Sequence, residues 1–310
     1  MLLLLKVGVN LFKKEGQRYD VISYTSEEEL TLKEILLDKL NFSVRSLSKM
    51  KRSQSVLVNG VFKKPSVKIK KGDLIEVKIE EDMANFAPQD LNLDFVYDDF
   101  DLIMVNKPPF MVVHPTKSHN INTIANGVTD YIIKKNEKVK IRFVNRLDMN
   151  TSGLVIVAKN AYAHHTLSKD MSDNKVEKKY ITIVKGIVKD DFGTINAPIY
   201  RPTEDSIKRV VDDRGQESIT HYKVLERLND STLLEVKLET GRTHQIRVHM
   251  NHIGHGIIGD ELYGYVDENL INRQALHAYS LEFNQPRTKE KLVFKAKIPK
   301  DMKDLIEKLR

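Results

Sequence analysis

From Phe95 to the C-terminus the sequence sets down short runs of β-prone residues with only a few helical stretches between them, and this excludes most architectures. Asp101-Leu-Ile-Met-Val reads as a strand, and Gly153-Leu-Val-Ile-Val-Ala-Lys159 as one apolar enough to be buried. Lys179-Tyr-Ile-Thr-Ile-Val, Ile219 to Leu225, Leu233 to Leu238, Leu281-Glu-Phe and Leu292 to Ile298 are further runs with good β-propensity. Helices are expected at Asn122–Ile133, Thr243–Ile253 and Asp301–Leu309, and no internal repeat is visible. Many adjacent strands with few helices predict an α+β chain with a mixed, mainly antiparallel sheet and flanking helices, not a doubly wound parallel sheet.

Ahead of Phe95 the pattern differs. Thr31-Leu-Lys-Glu34 is a capping box, followed by Leu32, Ile35, Leu36 and Leu40 as one apolar stripe. Ser43 is placed to cap a second helix in which Val44, Leu47 and Met50 face inward. Arg45, Lys49 and Arg52 recur at i, i+4 and i+7 and share one exposed face. Asn59-Gly60 within Val56-Leu-Val-Asn-Gly-Val-Phe is a hairpin signal, and Lys71-Gly-Asp-Leu-Ile-Glu-Val gives a further turn and strand. The boundaries read as a helix-hairpin unit at 1–82, a linker at 83–93 and a larger domain at 94–310.

Charge separates the two parts. Between Lys33 and Lys78 stand twelve Lys/Arg and four Asp/Glu, a surplus of +8, while the whole chain of 310 residues carries only +7. A basic unit on a near-neutral body points to a partner with a phosphate backbone, against the plainer reading of a solubilising surface. Cysteine is absent, which rules out disulfides, thiol nucleophiles and cysteine-ligated zinc or iron–sulfur sites and fits a reducing, cytoplasmic setting. No apolar run approaches the roughly 20 residues of a membrane helix. The opening MLLLL meets Lys6 without a preceding basic residue or a cleavage site, so it does not read as a signal peptide.

The densest candidate for chemistry is Asn145-Arg-Leu-Asp-Met-Asn-Thr-Ser-Gly153, a loop between strand-like runs in which Arg146 and Asp148 flank an apolar residue. Its composition is also that of an ordinary turn. In Glu239-Thr-Gly-Arg-Thr-His-Gln-Ile-Arg-Val-His249, Thr243 is expected to cap a helix with Ile246, Met250 and Ile253 as its buried stripe. Arg247 lies beside that stripe, and a half-buried guanidinium wants a carboxylate. His244, His249, His252 and His255 raise a zinc alternative, but no Asp or Glu lies among them and Gly254 and Gly256 break the helix. Tyr180, in Lys178-Lys-Tyr, is by itself as well explained as a core residue. No Walker loop, GxGxxG, GxSxG or HExxH occurs.

Taken together, Asn145-Arg-Leu-Asp-Met-Asn-Thr-Ser-Gly-Leu154, Lys178-Lys-Tyr180, Gly241-Arg-Thr-His-Gln-Ile-Arg-Val-His249, Gly259-Asp-Glu-Leu-Tyr-Gly264 and Leu276-His-Ala278 resemble the motifs of RNA pseudouridine synthases of the RluA type, in the family's order. Asn106-Lys-Pro-Pro-Phe-Met-Val-Val-His-Pro115 resembles the family's opening motif. Asn145, Asn150 and Phe110 stand where His, Asp and Gly are frequent. The N-terminal unit resembles the αL-type RNA-binding module first known from a small-subunit ribosomal protein. The resemblance implies isomerisation of uridine to pseudouridine in ribosomal RNA or tRNA, without cofactor or metal. It implies that Asp148 carries the reaction, as nucleophile or base, with Arg247 paired to it. It further implies that Tyr180 lies against the uracil and takes the C5 proton, and that Leu276 packs beneath the base. Arg146 fills the gap left by a flipped nucleotide, and Arg242 and His244 bind substrate. Arg45, Lys49 and Arg52 hold RNA phosphates, and no membrane or obligatory protein partner is implied. A non-catalytic RNA-binding or ribosome-assembly protein on the same scaffold is the alternative, but it has no need to keep Asp148, Tyr180 and Arg247 together. An N-glycosidase would also use a lone carboxylate, and would release free uracil.

Overall fold

The computed structural model describes residues 20–79, 86–116 and 118–310, so MLLLL and the start of the expected linker, 83–85, lie outside the described residues. In the N-terminal part both halves of the Thr31–Glu34 capping box form, with the Glu34 amide donating to Thr31 Oγ1 and the Thr31 amide donating to Glu34 Oε2 at 2.7 Å. The helical turn Leu32–Glu34 continues as a π-turn, Ile35–Lys39, which the Leu40 amide closes on the Ile35 carbonyl. Leu32, Ile35, Leu36 and Leu40 are all buried. Ser43 caps α1 (Val44–Ser53), which buries Leu47 and Met50. Val44 does not face inward; it is 69% exposed. At 3.6 residues per turn each three-residue step falls short of a full turn, so a line of three wraps around the helix and its first member leaves the core. Asn59 and Gly60 both take the positive φ that the hairpin turn demands, 50° and 78°. The hairpin joins β2 (Val56–Val58) to β3 (Val61–Phe62), and with β1 (Val21–Thr25) and β4 (Leu74–Lys78) they form a sheet in the order β1-β4-β2-β3.

The larger part is a mixed α+β body, and its sheet is mainly antiparallel, as the pattern predicts. In chain order its strands are β5 (Asp94–Asp98), β6 (Leu102–Lys107), β7 (Ser152–Ala158), β8 (Glu177–Lys185), β9 (Phe192–Asn196), β10 (Ile219–Arg227), β11 (Ser231–Leu238), β12 (Leu276–Asn284) and β13 (Lys291–Lys295). They pair in the order β9-β10-β11-β8-β12-β7-β6-β5, with β13 added on β12 and Arg142–Phe143 on β7. β7 is buried at every position, which explains its unbroken apolar run. Helices α2 (Ile124–Lys134), α3 (Ala161–Ser172), α4 (Gln245–His252) and α5 (Lys300–Leu309) accompany the sheet. α3 was not expected from the sequence. Among the described residues no helix is long and apolar enough to cross a membrane.

One seam in the sheet positions the site. β7 and β12 are the parallel pair, and their ladder is two residues long, Ser152 opposite His277 and Gly153 opposite Ala278. Gly153 has φ +119°, and a Cβ there would lie 2.2 Å from the Ala278 carbonyl oxygen, so the strands meet only because this residue is glycine.

The two parts also touch. Phe42 packs on Tyr162 of α3, ring centroids 4.9 Å apart. Arg287 donates to Asp101 Oδ1 at 2.7 Å and to the Val21 carbonyl at 3.2 Å. Residues 86–93 hold no strand or helix, yet Asn126 of α2 donates to the Ala87 carbonyl and Leu93 packs on Gly127.

Candidate active site

The Asn145–Gly153 loop is built from both ends. Asn145 clips it to β7 by donating Nδ2–H to the Leu154 carbonyl and accepting the Ile156 amide on Oδ1. Leu147 is buried among Val113, Val155 and Ala278, with Tyr180 and Phe143 packed against them. Burying this one side chain turns its two charged neighbours, Arg146 and Asp148, toward a cavity of about 410 Å³, within the range of about 300–1,000 Å³ usual for small-molecule sites. Val113, His114, Arg146, Asp148, His244 and Arg247 line it, with Ile207 and Leu262.

The expected pairing of Arg247 forms, and it is double. Arg247 donates Nη1–H to Asp148 Oδ2 at 2.9 Å, and Nε–H and Nη2–H to the two oxygens of Asp260 at 2.7 and 2.8 Å. Asp260 is wholly buried and also accepts the Leu262 and Tyr263 amides, so its carboxylate is fixed on four sides. Burial alone would lower Arg247; the hydrogen bonds and charge of Asp260, with the charge of Asp148, outweigh it and hold the guanidinium above its usual value. The Tyr263 ring covers Arg247, 5.1 Å from centroid to guanidinium.

The backbone beneath Asp148 rests on two buried cations. Lys107 donates to the carbonyls of Pro108, Met111 and Met149, and Arg273 donates to that of Asn150 while pairing with Asp301 at 2.6 Å. Burial first, and the charge of Arg273 second, push Lys107 down to about 7, against the pull of Asp148.

Helix α4 starts later than expected. Thr243 does not cap it; His244 occupies the cap position at φ +60°, without a side-chain cap bond. Gln245 instead ties the turn, accepting the Arg242 amide and the Thr240 hydroxyl. His244 thereby turns into the cavity, its Nε2 3.7 Å from Asp148 Oδ2 and its Nδ1 2.8 Å from the Tyr263 hydroxyl. Burial holds the imidazole below its ordinary value. The other histidines do not gather around it: His249 is buried between Thr220 and the Ala197 carbonyl, and His255 bonds the Lys185 carbonyl. Among the described residues no group of three or more His, Asp or Glu is arranged to hold a metal ion.

Asp148, Arg146, His244 and Arg247 thus come together, and the remaining candidates stand apart. Tyr180 packs beside Leu147 and is not among the residues lining the cavity. Burial, then the nearby Asp148 charge, pushes its hydroxyl upward. Leu276 is buried in the core with Ile181 and Leu238. Arg242 is exposed and donates to the Glu217 carbonyl. Arg45, Lys49 and Arg52 are exposed on α1. Sequence reasoning assigned no role to Asp260, Lys107 or Arg273. The first two sit in motifs that were singled out, whereas Arg273 has no local signal.

A family model described as RNA pseudouridylate synthase matches residues 101–252. The chain is 43% identical to the uncharacterized RNA pseudouridine synthase YlyB of Bacillus subtilis, covering 82% of this chain and 86% of that one. It is 35% identical to the ribosomal large subunit pseudouridine synthase D of Escherichia coli, covering 95% and 96%. The human RNA pseudouridylate synthase domain containing 1 superposes with a TM-score of 0.54 at 27% identity, covering 66% of this chain and 83% of that structure.

Proposed function

This chain belongs to the RNA pseudouridine synthase family, and from that premise we propose that its isomerisation of uridine in RNA runs through Asp148 on a nucleotide flipped into the cavity. The observation that carries the assignment is the Asp148–Arg247–Asp260 chain at the cavity wall. The reaction breaks the N1–C1′ bond, turns the base and joins C5 to C1′. A proton leaves C5 and one enters N1, so no oxidant, reductant or water is consumed. Asp148 either attacks the ribose or removes a proton from it, and both roles need an ionised oxygen aimed by a fixed partner. Arg247 is that partner, and Asp260 positions Arg247 rather than touching substrate.

Around this centre Arg146, at the exposed rim, fills the space the uridine leaves. Tyr180 and Leu276 form the support behind the base, and Arg242 holds the RNA strand near His244. Residues 1–82 act as an αL-type RNA-binding module, with Arg45, Lys49 and Arg52 on phosphates and 83–93 joining it to the domain at 94–310. The similarity to a large-subunit enzyme favours ribosomal RNA over tRNA as the target, and the absence of cysteine is consistent with the cytoplasm. Mapping pseudouridine in total RNA with and without the gene identifies the target, and complementation with Asp148→Asn tests the residue. Asp148→Asn keeps the shape, so RNA binding stays within a few-fold while turnover vanishes. Appreciable pseudouridine from that variant refutes the assignment.

A further inference from the structure

We infer that His244 is the base that takes the proton from C5 of the rotated uracil. This rests on the reaction proposed above and deepens it, because the aspartate accounts for chemistry at the ribose but not for the last proton transfer.

Position comes first. His244 lines the cavity with Asp148 and Arg247, and its Nε2 stands 3.7 Å from Asp148 Oδ2, so both groups face one bound nucleotide from the same wall. Its other nitrogen is held. Its Nδ1 lies 2.8 Å from the Tyr263 hydroxyl, which also accepts the Arg209 amide at 2.7 Å. As the base, His244 carries its proton on Nδ1, which leaves the Nε2 lone pair toward the cavity. The two rings meet edge to face, 5.5 Å between centroids, which fixes the imidazole plane.

The backbone adds an independent observation. His244 adopts φ +60° at the head of α4, a conformation usual for glycine or asparagine. Such left-handed backbone positions concentrate where a side chain must be aimed.

Charge state agrees with the role. Burial, Arg247 and Arg209 all favour the neutral imidazole, against Asp148 and Asp260, so the lone pair is available at neutral pH. Tyr180 is less suited. Its hydroxyl is pushed upward by burial and by Asp148, and a phenol that holds its proton accepts none from carbon. In the step itself the C5–H bond breaks and its proton goes to Nε2. The bonding pair restores the C5=C6 double bond. The imidazolium then yields a proton to N1, which the broken glycosidic bond had left bare, and the count closes.

The test uses the full-length enzyme in single turnover at saturating enzyme, on RNA carrying hydrogen or deuterium at uracil C5. His244→Gly suits the positive φ and should slow turnover by about 10²–10⁴-fold, the usual contribution of a general base. Its C5 isotope effect should exceed that of the native enzyme, and added imidazole should restore part of the rate. His244→Asn, which also tolerates this φ, is read in the same way should the glycine variant fail to fold. A rate within about twofold of native overturns the assignment. So does a slow variant whose C5 isotope effect equals the native one, since that is the mark of a positioning residue. Failure of the reaction reading looks different: the native enzyme would form no pseudouridine, or Asp148→Asn would remain active.

Discussion

Removing Arg247 separates what this side chain does for stability from what it does for turnover. In Arg247→Ala the wholly buried Asp260 keeps the Leu262 and Tyr263 amides on Oδ1, at 3.0 and 3.2 Å, but Oδ2 loses the guanidinium that met it at 2.7 Å. Stranding one member of a buried ion pair costs about 3–5 kcal/mol, and the two remaining amides place this case near about 3 kcal/mol. Asp148 adds little, because its side chain is 25% exposed and water screens it. The double variant Arg247→Ala/Asp260→Asn removes the stranded charge, so it should regain most of the lost stability in urea titration. Neither variant aims Asp148, so both should lose about 10²–10³ in single-turnover rate. Arg247→Lys should recover part of that rate, as the charge returns without the planar fork. A double variant as unstable as Arg247→Ala would refute the electrostatic account, and one that regained activity as well would show that Arg247 serves only the fold.

Lys107 makes a prediction about pH. Its ammonium sits at about 7 in the folded chain against 10.5 unfolded, so between those values the unfolded chain binds the extra proton. Its contribution to stability therefore rises as pH climbs from 7 to 10.5 and is absent below 7; urea midpoints across that window should show the rise, and Lys107→Met should flatten it while slowing turnover. The triple variant Arg45→Ala/Lys49→Ala/Arg52→Ala should bind RNA more weakly, each lost phosphate contact flattening the salt slope by roughly 0.7–0.9, with near-normal turnover at saturation. Dialysis against a strong chelator should leave the rate unchanged; a rate lost and restored by one divalent ion would revive a metal role for the histidines.

What could be read in the sequence was local or complementary. The Thr31–Glu34 box and the Asn59-Gly60 turn are fixed by their own backbone chemistry, and Arg247 announced its need for a carboxylate by standing beside an apolar stripe. The partners themselves were less legible. Asp148 stands ninety-nine positions away and came from a resemblance, while Asp260 lies in the quoted Gly259–Gly264 motif with nothing local to mark it as the second partner. By residue type Thr243 is the better cap for α4, but Gln245 and Tyr263, placed by tertiary structure, hold His244 in that position. Helix α3 escaped notice because its buried side, Tyr162, Ala163, Thr166 and Leu167, mixes polar and apolar residues and shows no clean stripe.

The junction between the two parts changes what kind of reader of RNA this can be. A module on a slack tether raises local concentration and accepts any geometry its tether spans. Here Phe42 lies on Tyr162, and Arg287 joins the Val21 backbone to Asp101, so in the proposed reading the phosphate grip and the reaction cavity are jaws of one caliper. Selection then falls on the distance between a gripped stem and the uridine presented to Asp148, not on the letters around it.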